Sequence, residues 1–414
     1  MTKFISFLTI VSSLFILGCG SSDSNTTTVS SAKAKVMAAG GDFAVSLGLI
    51  YGIDSDNKET IVTDSSSNNI TPYQDSIIKS YNNKFYIFDR DSNAAVIVLD
   101  GSTGDQTPIA NYSLAETDPD GNFNIDGGFN GPNTYDIAFK SEAEAYVCFY
   151  NSTSILKINP LTGERKAKID VSFINDMTTA GTSDASAPNI VDVELIGDYL
   201  YILAQRQDAS FTALKPVMVI YDITKNSFVD LDTSTTDIDG IVLTGKNPNH
   251  MIYITSKKQL YISHSGLISY ASDFSSIEST EAGTAGIEAV DTTLNSSLGM
   301  IVSGMTISGT SDSFSVKKII ATSNQSKAYI VFGAFDFSTN LKELTLTDNT
   351  VSPTSLLSNN SSAFGDVTID DNGQVYQIER DTTSPSIQVI DSTDGSVLKS
   401  ISTLLPLSSI TVLK

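Results

Sequence analysis

The chain has 414 residues, with 25 Lys and Arg against 47 Asp and Glu, no Trp and two Cys. Its net charge of −22 repels phosphate backbones, which excludes nucleic-acid binding as its function. With Cys19 at the end of an apolar leader, Cys148 is left alone. That rules out an intramolecular disulfide framework and a Cys-based zinc site.

The leader comes first. Lys3 precedes an almost unbroken apolar run from Phe4 to Leu17, closed by Ile16-Leu17-Gly18-Cys19. This order reads as a secretory signal over residues 1–18, too short for a membrane span. Its ending resembles the lipobox of bacterial lipoproteins, in which a small residue such as Gly18 precedes the Cys. The resemblance implies that Cys19 becomes the lipid-bearing first residue, and that Gly20 in place of Asp directs it to a Gram-negative outer membrane. Palmitate-type acyl chains would then tie the protein to that membrane, each buried CH₂ contributing ~0.8 kcal/mol. Loss of Lys3 leaves 24 − 47 = −23 charges. Residues 19–38, rich in Ser, Thr, Asn and Asp, read as a flexible tether, too polar to offset their own ordering entropy.

From residue 39 to 414 one unit recurs about every 45 to 65 residues. Its centre is a strand with a mid-strand Tyr: Lys84-Phe85-Tyr86-Ile87-Phe88, Ala145-Tyr146-Val147-Cys148-Phe149, Tyr199-Leu200-Tyr201-Ile202-Leu203, Gln259-Leu260-Tyr261-Ile262-Ser263, Ala328-Tyr329-Ile330-Val331-Phe332 and Gln374-Val375-Tyr376-Gln377-Ile378. An apolar strand precedes each. In most units a strand ending in Asp, as in Val96-Ile97-Val98-Leu99-Asp100, follows with a tight turn and a shorter strand. Four short strands per unit without helical periodicity predict an all-β, seven-bladed β-propeller. Six blades are internal. The seventh combines Ser409-Ile410-Thr411-Val412-Leu413 as its first strand with 43–47, 49–54 and 60–63 as its second, third and fourth. Such closure leaves no open sheet edge. Cys148 reads as a buried, inert thiol within its apolar strand.

The pairing of Gln259-Leu260-Tyr261-Ile262-Ser263 with Ile287-Glu288-Ala289-Val290-Asp291 resembles the YVTN-type repeats of bacterial surface and exported β-propellers. So does the pair around Tyr376 and Ile387 to Asp391. The resemblance spans roughly residues 40–414 and implies the fold; no copy spells the repeat literally. Some related propellers are lactone hydrolases or quinone-dependent dehydrogenases, and no motif here carries either activity across.

Candidate chemistry is sparse. Asp75, Asp136, Asp192 and Asp366 begin inner strands at like positions, with His250 in the fourth unit. Converging at one channel mouth, they would hold Ca²⁺ or another hard cation, or a polar ligand; alternatively each Asp bonds backbone N–H groups of its own turn. A second candidate, Asp118, Asp120, Asn122, Asn124 and Asp126, alternates oxygen donors as a calcium loop does, but Phe123 stands where that loop needs Gly. His250 and His264 are the only His residues, and no Gly-x-Ser-x-Gly elbow, Walker-type loop or Cys-x-x-Cys-His motif is present. Insertions at 104–131, 172–188, 204–215 and 303–315 offer recognition loops on a rigid scaffold. The expectation is a monomeric, lipid-anchored binding or scaffolding module for a protein, glycan or small ligand. The alternatives are an exported, cation-dependent, lactonase-like hydrolase and an accessory protein of a surface assembly.

Overall fold

A computed structural model describes residues 34–414, apart from 43–46, 65–74, 91–92, 104–106, 116–117, 119–120, 127–130, 178–186, 235–236, 271, 273–276, 310–313, 335–338, 360–363 and 382. Seven antiparallel sheets of four main strands form the blades of a β-propeller. Blade one is Ser76–Tyr81, Lys84–Asp89, Ala95–Asp100 and Ala110–Ser113; blade two is Thr134–Ser141, Glu144–Phe149, Ser154–Ile158 and Arg165–Asp170. Blade three runs Ile190–Ile196, Tyr199–Ala204, Val217–Asp222, Ser227–Phe228, and blade four Pro248–Ile254, Gln259–Ser265, Ala285–Asp291, Ser296–Ser303. Blade five is Phe314–Ala321, Ala328–Ala334, Thr339–Thr345 and Thr350–Val351; blade six is Phe364–Ile369, Gln374–Glu379, Ser386–Asp391 and Val397–Ser402.

The closing blade joins the two ends of the domain, in the order Ser409–Val412, Val36–Asp42, Leu47–Ile53 and Glu59–Asp64. Val36 pairs with Val412 and Ala39 with Ser409. Its second strand therefore lies at Val36–Asp42 and not at 43–47, of which residues 43–46 fall outside the described set. The strand also begins inside the stretch read as tether. Packing explains the difference: Val36, Met37, Ala38 and Ala39 are all fully buried, and small side chains here let two strands approach. At Gly40, φ is +146°, and a Cβ would lie 2.3 Å from the Ser408 nitrogen, so only glycine fits.

The recurrent Tyr has a physical role that its position alone did not disclose. Its ring is buried in the second strand, and in three blades its hydroxyl reaches the outer hairpin turn of the following blade. Tyr261 Oη donates to Asn349 Oδ1 at 2.6 Å, Tyr376 to Asn57 at 3.0 Å and Tyr201 to Asn295 at 3.3 Å. Those three Asn residues hold φ of 61°, 57° and 49°, the left-handed geometry that Asn tolerates in tight turns. Apolar clusters fill the spaces between blades, for example Tyr146, Ile155, Ile202 and Val217 between blades two and three. Cys148 is fully buried in the same cluster, and burial pushes its thiol pKa up.

Strand alternation sorts the loops. The connections leading into each inner strand, and those between second and third strands, all lie on one face of the disc. Of the described residues, that face holds 114–115, 121–126, 131–133, 172–177, 187–188, 205–216 and 304–309, together with a hairpin of Ile268–Tyr270 and Ile277–Thr280 that the sequence reading did not separate. The opposite face carries mainly tight turns. The insertion expected at 104–131 is interrupted by Ala110–Ser113, the outer strand of blade one. Among the described residues no helix is long and apolar enough to cross a membrane. Cys19 lies outside the described residues.

Candidate functional site

The inner strands of all seven blades line an axial channel of about 750 Å³. In-register positions, counted across from the buried Tyr strands, place Ile77, Asp136, Asp192, His250 and Lys318 at one level, with Asp366 and Ser409 completing the layer. The expected residues Asp136, Asp192, His250 and Asp366 are thus brought together near one mouth. Asp75 is not. It lies before the inner strand of blade one, partly exposed, with Arg90 Nη1 at 3.3 Å, and Ile77 occupies its place in the layer. The reason is spacing: Asp136 and Asp192 stand four residues after Pro132 and Pro188, whereas Asp75 stands three after Pro72.

The layer is a clamp between blades. Asp136 Oδ2 accepts the Val193 N–H at 3.2 Å, Asp192 Oδ2 the Met251 N–H at 2.7 Å and Asp366 Oδ2 the Ile410 N–H at 3.2 Å. Ser409 Oγ accepts the Ile78 N–H at 3.2 Å, and the Ile319 carbonyl faces the His250 ring and favours its protonated form. Each of these side chains reaches the backbone of the next blade, where the alternative reading had it bonding its own turn. Only Asp366 does both, accepting the Val367 N–H at 2.8 Å as well. Two lysines complete the circle: Lys79 Nζ lies 2.6 Å from Asp136 Oδ1, and Lys318 Nζ lies 2.8 Å from Asp366 Oδ1. Ammonium groups thus stand against the carboxylates that the sequence reading offered to a cation. Among the described residues no three His, Cys, Asp or Glu side chains group as metal ligands.

Electrostatics distinguish the members. Asp136 and Asp192 are hydrogen-bonded to one another. Burial and the neighbouring Asp136 charge hold Asp192 well above the usual carboxylate range. Asp136 ends below that range: burial opposes its ionisation, but Lys79 and the Asp192 hydrogen bond outweigh it. Within the pair, Asp136 thus favours its charged form and Asp192 its protonated form. Burial alone would lower Lys79, but Asp136 and then Asp192 raise it above its ordinary value. His250 is kept neutral, its pKa pushed well down by burial and then by Lys318.

Two residues further along the strands, Glu194 faces the channel from blade three. Burial pushes its carboxyl up to about 7, against the opposing pull of Lys79. Toward the far mouth lies Lys414, whose amine is lowered by burial and by Lys79, while Glu194 favours its charge. Sequence reasoning missed Lys79, Glu194, Lys318 and Lys414. The signal was available for Glu194, which follows Asp192 at the period of two that keeps both on one strand face.

Residues of the second candidate have local partners. Asp118 Oδ2 accepts the Phe123 N–H at 3.0 Å, and Asn124 Oδ1 accepts the Asp118 N–H at 2.8 Å. Asp126 accepts from the Ser152 hydroxyl at 2.8 Å, the Ser154 hydroxyl at 3.0 Å and both groups of Thr153. Burial opposes ionisation of Asp126, but these bonds together lower its pKa. They tie the 118–126 loop to the neighbouring hairpin. Asn122 has no hydrogen bond among the described residues, and Asp120 lies outside them. His264 is buried beside Glu288, Nε2 to Oε2 3.2 Å, and Glu288 also accepts the N–H groups of Thr244 and Gly245. This is a buried brace for the connection into blade four.

The fold and channel define a seven-bladed β-propeller with a polar axial cavity. A putative 6-phosphogluconolactonase from Bacteroides fragilis is similar to it at 13% identity, covering 94% of this chain and 99% of that one, with a TM-score of 0.55. The periplasmic gluconolactonase PpgL of Pseudomonas aeruginosa is similar at 10% identity, covering 92% and 99%, with a TM-score of 0.55. A protein from Lactobacillus plantarum matches at 11% identity over 92% and 100%, with a TM-score of 0.56. At these identities the likeness establishes the fold. No protein-family profile matches the chain, and no curated protein does.

Proposed function

We propose that this chain is an envelope lipoprotein whose propeller channel takes a small hydroxylated lactone and hydrolyses it. The observation that carries the reading is the channel: about 750 Å³, lined largely by polar and charged side chains, two of which have no hydrogen-bond or ion-pair partner among the described residues. That volume lies within the ~300–1,000 Å³ typical of small-molecule sites. The whole-length match to propellers described as gluconolactonases supports this chemistry over a purely scaffolding role. The apolar leader ending in Gly18-Cys19 supports export and lipid attachment, and the YVTN-like repeats fit an exported propeller. Outer-membrane placement rests on Gly20.

The test is a pH-stat assay of the purified domain against a panel of γ- and δ-lactones, glucono-δ-lactone included. Turnover above the spontaneous rate is expected for at least one. A second reading, recognition of a macromolecule by the loop-bearing face, is favoured by Phe211, Tyr270 and Met305, large apolar side chains exposed on the segments that rise from that face. No turnover across the panel would favour it. Metabolic labelling with palmitate, lost on Cys19→Ser, tests the anchor.

A further inference from the structure

Eight acidic or lysine side chains line the channel: Lys79, Asp136, Asp192, Glu194, Lys318, Asp366, Asp371 and Lys414. Six are committed. Lys79 and Asp136 pair, as do Lys318 and Asp366; Asp192 holds the Met251 N–H, and Asp371 Oδ1 accepts the Ser323 N–H at 3.1 Å. Glu194 and Lys414 have no hydrogen-bond or ion-pair partner among the described residues. A carboxyl left unengaged in a half-buried cavity costs stability without a structural return, and such groups concentrate where a ligand completes their bonding.

We infer that Glu194 is the general base of the channel and Lys414 the cation that meets the substrate carbonyl oxygen, for a hydroxylated lactone as substrate; this rests on the function proposed above. The Glu194 carboxylate takes a proton from a water molecule as the water oxygen bonds to the lactone carbonyl carbon. The carbonyl electron pair moves onto its oxygen, facing the Lys414 ammonium. As that pair returns, the bond from the carbonyl carbon to the ring oxygen breaks, and the ring oxygen leaves with the proton held by Glu194. The product is the open hydroxy acid, which gives its own proton to solvent, and Glu194 is again a carboxylate. Water and lactone are consumed and nothing is oxidised or reduced.

The groups facing Glu194 set its ionisation. Lys79 from blade one and Lys414 from the closing blade favour the carboxylate, while burial and Asp136 from blade two oppose it. A base poised near neutrality is what proton abstraction from water requires.

The experiment is the lactone assay on wild type, Glu194→Gln, Glu194→Asp and Lys414→Met, each with a melting curve. Wild type is expected to show a kcat that rises through pH 7. Glu194→Gln should lose ~100-fold or more in kcat together with that rising limb. Glu194→Asp should keep a pH-dependent limb at reduced rate, and Lys414→Met should fall ~10-fold or more in kcat/KM. An active wild type whose Glu194→Gln variant stays within threefold and keeps its pH profile overturns the inference and leaves the lactonase reading standing. An inactive wild type overturns that reading itself, and the inference with it.

Discussion

Asp192 offers the sharpest test of the inter-blade clamp. It is 3% exposed, its Oδ2 holds the Met251 N–H at 2.7 Å, and it is hydrogen-bonded to Asp136. Asp192→Ala strands the buried Met251 donor, at about 1–3 kcal/mol, and removes a hydrogen-bond partner of Asp136. A total near 3 kcal/mol is a reasonable magnitude. For a domain of roughly 380 residues the unfolding entropy is about 0.8 kcal/mol/K, so the melting temperature should fall by about 4 °C. Asp192→Asn is the informative control. It copies the protonated acid, keeping an oxygen for Met251 and an N–H for Asp136, so its loss should stay near 1 °C. It should also remove a pH dependence. Asp192 has a raised folded pKa, so its contribution is fully present below the ordinary carboxylate range and is lost as pH rises through the raised value. Differential scanning calorimetry at pH 6 reads both variants. Equal destabilisation by Ala and Asn, or an Ala variant within 1 °C of wild type, would refute the clamp.

The same linkage applies to Glu194. Its folded pKa of about 7 lies above its unfolded value, so wild type loses stability as pH climbs from about 4.5 to 7. Glu194→Gln does not ionise, and its melting temperature should rise relative to wild type between pH 5 and 8; a constant difference would show that Glu194 does not titrate there. Gly40→Ala forces a Cβ into the Ser408 backbone at the closing blade and should cost about 3 kcal/mol, lowering the calorimetric melt by about 4 °C. A melt unchanged by Gly40→Ala would mean that the two ends of the domain do not pair as described. Chelator should leave the melting temperature where it is, since lysines occupy the carboxylates of the layer. A stoichiometric cation in elemental analysis whose removal lowers the melt would instead restore the ring or the 118–126 loop as a metal site.

Much of the fold was legible because the six internal blades repeat a similar short-range code. A buried Tyr, alternating apolar residues and an Asp-led turn mark the middle strands, and those marks are local. Closure of the ring was legible only in outline. The pairing of Val36 with Val412 joins residues separated by nearly the whole chain, and an Ala-Ala-Gly-Gly strand lacks the β-branched residues that announce a strand. The candidate site was half legible. Acids at the head of inner strands stood out, but whether each faces its own turn, a cation or the next blade is fixed by blade spacing. Lys318 occupies in blade five the position that His250 occupies in blade four, and only the register across from Tyr329 reveals it. Glu194 and Lys414 carry no motif; they stand out only once the bonds of their neighbours are counted.

The central claim is that the axial channel is where this propeller meets its small substrate. Thr368 lines that channel from blade six at the level of Glu194, and Thr368→Phe would fill it without replacing a clamp residue or Glu194. The most direct measurement is lactone turnover by wild type and Thr368→Phe side by side, with matched melting curves. Turnover by wild type that falls at least tenfold in the filled variant is the predicted result. Equal turnover by both would place the chemistry elsewhere on the molecule and contradict the account.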